Sequence, residues 1–128
     1  MTRTYLSAPY QRSRAYSPAV ITEGGRTVWL AGHLAPEDAD GNSLAGDFDA
    51  QVRCTFAKLA ATLAEAGGSL DHIVTMTVFL TEVRFNTRFV ELRKEVFGDD
   101  YPASTLVTVA ALNRPEMMVE IQATAVVD

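Results

Sequence analysis

Near its C-terminal end the chain reads Val119-Glu120-Ile121-Gln122-Ala123-Thr124-Ala125-Val126-Val127. Every second residue from Val119 onward is apolar, and the residues between them begin with Glu120, Gln122 and Thr124. Successive side chains of a β-strand point to opposite faces of its sheet. The alternation therefore predicts a strand over residues 117–127, with one apolar face and one face that carries a carboxylate.

Two more strands are predicted ahead of this one. Residues 105–112 carry apolar side chains at even-numbered positions, such as Leu106, and at odd-numbered positions, such as Val107. Both faces of this strand should therefore be apolar. Residues 113–116, Asn-Arg-Pro-Glu, have the composition of a turn and should join it to the last strand as a hairpin. Residues 72–80 are rich in β-branched side chains, which favour a strand.

Two amphipathic helices are predicted on either side of residues 72–80. In the first helix, the apolar residues recur at spacings of four and three, which defines one face of an α-helix: Val52, Phe56, Leu59, Leu63 and Ala66. Asp47 or Asp49 can cap its start, and Gly67-Gly68 ends it. The second helix has the same spacing and closes at Gly98; its apolar residues are Phe85, Phe89, Leu92 and Val96.

The N-terminal third contains a predicted hairpin and a loop. Residues 17–22 and 27–32 are short apolar runs that flank a turn, Glu23-Gly24-Gly25-Arg26, so we expect a hairpin. Residues 36–47 are a polar loop by composition, and residues 1–14 have the polar composition of an N-terminal extension. The 128 residues therefore form one domain of the order ββαβαββ.

The number of helices limits what one copy of the chain can bury. Each predicted helix has one apolar stripe, so two helices can cover one face of the sheet and leave the other open. A sheet-sized apolar surface rarely stays in water. We therefore expect the second face to contact other copies of the chain in a homo-oligomer.

Composition excludes several classes of protein. The net charge is −5, which disfavours binding to nucleic acid, and no apolar run approaches the roughly 20 residues of a membrane helix. The single Cys54 excludes a disulfide framework, and we expect a cytoplasmic protein. The two histidines, His33 and His72, are far apart, with no cysteine or carboxylate at ligand spacing, so we expect no metal and no cofactor.

Five stretches resemble the RidA (YjgF/YER057c) superfamily over residues 17–128: Asp49-Ala50-Gln51-Val52-Arg53, Ala64-Glu65-Ala66-Gly67-Gly68-Ser69, Asp71-His72-Ile73-Val74-Thr75-Met76-Thr77-Val78-Phe79-Leu80, Tyr101-Pro102-Ala103, and Val119-Glu120-Ile121-Gln122-Ala123-Thr124-Ala125. The resemblance implies a chorismate-mutase-like α+β fold, with a mixed sheet and both helices on one face. It also implies a homotrimer with an inner β-barrel and three small-molecule clefts between subunits.

The chain departs from the best-known members of this superfamily at one functional position. Those members hydrolyse enamines and imines, and an arginine directly after their Pro-Ala motif binds the substrate carboxylate. Here Pro102-Ala103 is followed by Ser104, which places the chain in a subgroup that lacks the arginine. Ser104 has no charge and no rigid fork of donors, so the resemblance does not carry deamination of 2-imino acids to this chain. Ala19 and Ala31 also replace a tyrosine and a serine of those members.

The resemblance places a set of candidate residues around the cleft. Glu120 is the candidate catalytic residue, as a carboxylate that orients water or transfers a proton; the competing interpretation is a paired structural carboxylate. The candidate substrate-binding residues are Ala103, Ser104, Ala31, Gly32, His33, Arg14, Tyr16 and Phe89. The competing interpretations are a small filler for Ser104, a backbone-bonded loop histidine for His33, and core packing for Phe89 and Tyr16.

Arg14, Arg88 and Arg114 are the candidate cations to replace the missing arginine, and the competing interpretation, a solvated surface charge, is the commoner role for each. The sequence then leaves three functions open. The first is hydrolysis or deamination of a small reactive C=N or enamine compound. The second is a trimeric metabolite-binding or regulatory protein without catalysis. The third is an endoribonuclease or translation inhibitor, which the net charge of −5 disfavours.

Overall fold

A computed structural model describes all residues from 1 to 128. It contains six strands and three α-helices in the following order: β1 (Thr2–Tyr5), α1 (Pro9–Ser13), β2 (Val20–Glu23), β3 (Arg26–His33), α2 (Phe48–Glu65), β4 (Ile73–Leu80), α3 (Asn86–Phe97), β5 (Ala103–Thr108) and β6 (Val119–Val127). Single 3₁₀ turns at Leu70–His72 and Val83–Phe85 precede β4 and α3. No helix combines the length and the apolar character that a membrane span requires.

The main sheet has four strands in the order β3-β6-β4-β5. Strand β6 is antiparallel to both of its neighbours, whereas β4 and β5 are parallel and are connected through α3. The sheet is therefore mixed, as the resemblance implies. The prediction that the last two strands form a hairpin is wrong, because β4 lies between β5 and β6. The connection from 109 to 118 passes the end of β4, where the Val109 amide donates to the Leu80 carbonyl and the Thr81 amide donates to the Met118 carbonyl.

The expected N-terminal hairpin is also wrong. Strand β2 pairs with β1 in a separate two-stranded sheet, while β3 pairs with β6 in the main sheet. Gly24 and Gly25, both at positive φ, carry the chain from one sheet to the other. Residues 1–14 are consequently part of the fold rather than a polar tail. Arg3 fixes them, since its guanidinium donates to the carbonyls of Asp71 and Val126.

The two long helices pack on one face of the main sheet. Helix α2 has the predicted apolar stripe, and the side chain of Asp47 caps it by accepting from the Ala50 amide. Helix α3 ends at Gly98, at a φ of 62°. The apolar side chains of both helices form one core with the side chains that β6 and β4 point toward them: Val119, Ile121, Ala123, Ala125, Met76, Val78 and Leu80.

The other face of the main sheet is uncovered, as the helix count predicts. Trp29 is 81% exposed on this face, and Phe79 and Val107 accompany it. Between them lie threonines of β4 and β5 together with Glu120, Gln122 and Thr124 of β6. These polar side chains make the face less apolar than predicted. A second reason is that β5 ends at Thr108, so the apolar residues 109–112 belong to the connection and not to the strand.

Candidate functional site

Two cavities contain most of the polar residues that the sequence singles out. The first, here called the Arg93 cavity, has a volume of about 350 Å³ and lies between α3, β5 and the segment after α1. Its lining includes Arg14, Tyr16, Asn86, Arg93 and Ser104. The second, the Glu120 cavity, has a volume of about 400 Å³, and its lining includes Gly32, Phe79, Leu112, Glu120 and Gln122. Both volumes are in the range of small-molecule sites.

Arg93 is the most unusual residue of the first cavity, because its side chain is only 1% exposed. Nη1 of its guanidinium donates to Ser104 Oγ at 2.6 Å, and Nη2 donates to the Arg14 carbonyl at 2.9 Å. Its Nε is buried without a hydrogen-bond partner. The guanidinium also lies 5.1 Å from the ring centroid of Phe89 and 5.8 Å from that of Tyr16.

No carboxylate of the chain forms an ion pair with Arg93. Burial, and to a smaller extent the nearby charge of Arg14, lowers the pKa of Arg93 to about 10. The guanidinium is nevertheless protonated at neutral pH. A buried charge without a counter-ion costs several kcal/mol, so the fold keeps an uncompensated cation at the wall of this cavity.

The segment from Arg14 to Ser17 forms the opposite wall. Ala15 is fully buried and has a φ of 61°, a left-handed conformation that costs a residue other than glycine about 1 kcal/mol. Ser17 then bridges to Ala103, which aligns this segment with the start of β5 and places Tyr16 near Ser104. The turn at Ala15 places the Arg14 carbonyl 2.9 Å from Arg93 Nη2.

The Glu120 cavity has the opposite chemical character. Glu120 is half-buried on the open face of β6, where it lies opposite Phe79 of β4. Its carboxylate covers the backbone of Gly32 so closely that a methyl group at that position would overlap Oε2. No arginine or lysine lines this cavity. A carboxylate in such partly apolar surroundings can act as a general acid or base.

One copy of the chain keeps the two cavities apart. Glu120 faces Phe79, which faces Val107 on β5, and Ser104 lies three residues before Val107. Two strand spacings across the sheet and three residues along a strand separate Glu120 from Ser104 by about 14 Å. The two side chains also point to opposite faces, since Ser104 contacts α3 and Glu120 lies on the open face.

The remaining candidates lie in neither cavity. Both ring nitrogens of His33 are engaged, with the Ala31 carbonyl at 2.7 Å and with Thr62 Oγ1 at 2.9 Å. Phe89 is fully buried in the core, so it cannot be an exposed aromatic wall. Ala31 is exposed on β3, and Ala103 is half-buried beside Ser17.

Two of the three candidate cations are paired with acidic side chains. Arg88 binds Asp49 and Glu91, and Arg114 binds Glu37 and Glu116. Only Arg14 both lines a cavity and lacks an ion pair.

Sequence reasoning missed Arg93 and Asn86. Both lie on the buried face of α3, where Asn86, Phe89, Arg93 and Phe97 follow each other at spacings of three and four. The available signal was a charged residue four positions after Phe89 in an apolar stripe, a place where arginine is almost never buried without a reason. Asn86 Oδ1 is likewise buried without a partner at this cavity.

The fold and the cavities together define a two-layer α+β protein with a small-molecule-sized cavity on each side of its sheet. The family model described as endoribonuclease L-PSP matches residues 6–127. A RutC family protein of Pyrococcus abyssi is 30% identical over 110 residues, which cover 86% of this chain and 84% of that protein. The chain therefore belongs to the RidA (YjgF/YER057c) superfamily.

Two further relatives extend this comparison. The human 2-iminobutanoate/2-iminopropanoate deaminase is 29% identical over 112 residues, which cover 87% of this chain and 79% of the human protein. The crystal structure of the Rid family protein YyfB from Yersinia pestis, a protein of unknown function, superimposes with a TM-score of 0.85 at 27% identity and covers 99% of this chain and 100% of YyfB. The fold of this chain is thus the fold of solved Rid proteins.

Proposed function

We propose that the protein is a homotrimeric hydrolase of small imines or enamines, with its active site in a cleft between subunits. The observation that carries the proposal is the division of polar groups between two cavities. The Arg93 cavity has cations and no carboxylate, and the Glu120 cavity has a carboxylate and no cation. A cleft formed by two copies would combine the Arg93 cavity of one with the Glu120 cavity of its neighbour.

The uncovered face of the sheet supports the assembly. Trp29 and Val107 are exposed on it beside the half-buried Phe79, and both long helices are on the other side. Three copies that turn these faces inward would enclose them in an inner β-barrel. Burial of a Trp side chain removes a large apolar area from water, which is favourable at roughly 25 cal/mol per Å².

The chemistry requires one carboxylate and one water molecule. The Glu120 carboxylate accepts a proton as the water oxygen adds to the C=N carbon, and it passes that proton to the imine nitrogen to give a carbinolamine. Glu120 then accepts the proton of the carbinolamine hydroxyl and delivers it to the nitrogen as the C–N bond breaks, so that a carbonyl compound and ammonia leave. Gly32 makes room for the carboxylate, and Phe79 provides an apolar wall.

The relatives support this reaction class. The human relative is named for the deamination of two imino acids, and it covers most of the chain. We do not propose RNA cleavage, because the net charge is −5 and five of the nine arginines form ion pairs with carboxylates. A trimeric binding protein without catalysis is the competing function, and turnover separates the two.

The test is ammonia release from 2-iminopropanoate by the wild-type protein and by Glu120→Gln. We expect the variant to lose roughly 10²- to 10⁴-fold in rate, the usual contribution of general acid–base catalysis. Glu65→Gln, which removes an exposed carboxylate at the end of α2, is the matched control and should keep its activity. Sedimentation should give a trimer for all three proteins.

Equal turnover by wild type and Glu120→Gln would remove Glu120 from the mechanism. A monomer at micromolar concentration would remove the intersubunit cleft. Ligand binding without any turnover by the wild type would favour the binding protein instead.

A further inference from the structure

Arg93 differs from the other arginines of α2 and α3 in its surroundings. Arg53 and Arg88 are partly exposed and form ion pairs with acidic side chains. Arg93 lies on the same helix as Arg88, five residues later, but it is buried and its guanidinium contacts a hydroxyl, a carbonyl and a thioether. Nothing in the chain neutralises its charge, so the charge is available to a molecule in the cavity.

The lining of the Arg93 cavity favours an anion throughout. Arg14 is a second cation there and makes no ion pair, and no aspartate or glutamate lines the cavity. Tyr16, Ser104 and Thr105 add hydroxyl groups. In a chain whose net charge is −5, a cavity with two arginines and no acid stands apart from the rest of the surface.

The contact between Arg93 and Ser104 sets the direction of the Ser104 hydroxyl. Ser104 Oγ accepts a hydrogen bond from Arg93 Nη1 at 2.6 Å, so its own proton is free to be donated elsewhere. Donation from a cationic guanidinium also polarises the hydroxyl and makes it a stronger donor. Ser104 can thus present to the cavity a donor that the charge of Arg93 reinforces.

We infer that the Arg93 cavity is an anion subsite, in which Arg93, acting through Ser104 and beside Arg14, binds the carboxylate of a small organic acid. Arg93 is then a positioning residue that supplies charge from behind the strand. The inference implies that the substrate is an imino acid or an enamino acid, and this part of it rests on the proposed function. The binding of a carboxylate in the Arg93 cavity requires no turnover.

The experiment compares propanoate with its neutral analogue propionamide, titrated into the assembled protein at constant ionic strength and followed by calorimetry. The proteins are wild type, Arg93→Met and Arg88→Met. Methionine keeps the length and apolar character of the arginine stem, and both variants lower the net charge by one. Arg88→Met is therefore the matched control on the same helix.

We expect the wild type to bind propanoate more tightly than propionamide. Arg93→Met should lose roughly 10- to 100-fold in propanoate affinity, the value of a hydrogen bond to a charged group, and should keep its propionamide affinity. Arg88→Met should bind both compounds as the wild type does. A merely structural role of Arg93 would lower both affinities together, so the ratio of the two affinities isolates the charge.

If Arg93→Met does not fold, the Nε–Hε resonance of Arg93 in the wild type provides the same test. It should shift with propanoate and stay in place with propionamide. An unchanged affinity ratio in Arg93→Met, equal shifts for both compounds, or no preference of the wild type for propanoate would overturn the inference. The last result is also expected if a carboxylate of another copy pairs with Arg93 in the assembly.

The test is independent of the proposed function. Glu120→Gln should keep a preference for propanoate over propionamide, whether or not the wild type releases ammonia. A preference for propanoate that depends on Arg93, without turnover, would contradict the proposed hydrolase and support the anion subsite. Turnover with a propanoate affinity that does not depend on Arg93 would support the hydrolase and contradict the anion subsite.

Discussion

The Arg93 cavity and the Glu120 cavity lie on opposite sides of one sheet and have opposite chemistry. The first is built on the helix-covered face, where α3 holds an arginine that no acid neutralises. The second is on the open face, where a carboxylate covers a glycine and no cation is near. The comparison teaches that one chain divides the charged groups of the proposed site between two cavities. The proposed cleft between copies would bring together an arginine that can bind an anion and a carboxylate that can transfer protons.

The largest expected effect comes from placing an arginine on the strand in the Arg93 cavity. In Ser104→Arg a second guanidinium would meet Arg93, whose Nη1 lies 2.6 Å from Ser104 Oγ. Two like charges in a buried place should destabilise the fold by on the order of 3 kcal/mol. The double variant Ser104→Arg with Arg93→Met should recover the stability and bind propanoate. Denaturant unfolding and calorimetry of the four proteins complete a double-mutant cycle; additive stabilities would mean that the two sites do not interact.

A methyl group in the Glu120 cavity should have the next largest effect. Gly32→Ala forces the Glu120 carboxylate to move, because the added carbon would overlap it. A displacement of about 1 Å at a catalytic group can reduce turnover by roughly 100-fold. Propanoate should keep its affinity, since Gly32 does not line the Arg93 cavity. A parallel loss of turnover and propanoate affinity would mean that the two cavities do not act separately in the assembly.

The smallest effect concerns Arg88, which sharpens the contrast between a paired and an unpaired arginine on one helix. Hydrogen bonds from Arg88 hold the pKa of Asp49 below its usual value. Asp49 therefore stabilises the fold above the ordinary aspartate pKa of about 4, and this contribution is lost as the pH falls through its lowered pKa. Arg88→Met should have a slightly lower melting temperature than wild type at neutral pH and the same one in strong acid. A difference that persists unchanged in acid would mean that Asp49 is not involved.

Local patterns predicted every helix and strand of this fold except β1 and α1, because the residues that form an element are close in sequence. The spacing of Val52, Phe56 and Leu59 and the Asp47 cap gave α2 its bounds, and the alternation around Glu120 gave β6. Strand pairing was predicted less well, since turn-like residues at 23–26 and 113–116 suggested hairpins. Strand pairing depends on which strand edges are free in the folded chain, and here β6 lies between β3 and β4.

The candidate site divides in the same way. The resemblance placed Glu120, Gly32, Ser104, Arg14 and Tyr16 near a cleft, and the structure places all five in the two cavities. His33 and Phe89 turned out to have partners in the fold instead, because side-chain direction depends on packing.

The sequence by itself determined the family, the two long helices, the strands after residue 16 and the absence of an arginine after Ala103, since each of these depends on neighbouring residues. Only the tertiary structure decided where the positive charge of the Arg93 cavity comes from. Arg93 and Ser104 are eleven positions apart, on a helix and a strand, and their contact exists because α3 packs across the parallel pair β4 and β5. A residue pattern shows which side chains lie on one face of a segment. The partners of a buried charged group lie on other segments, so only the packing of those segments determines them.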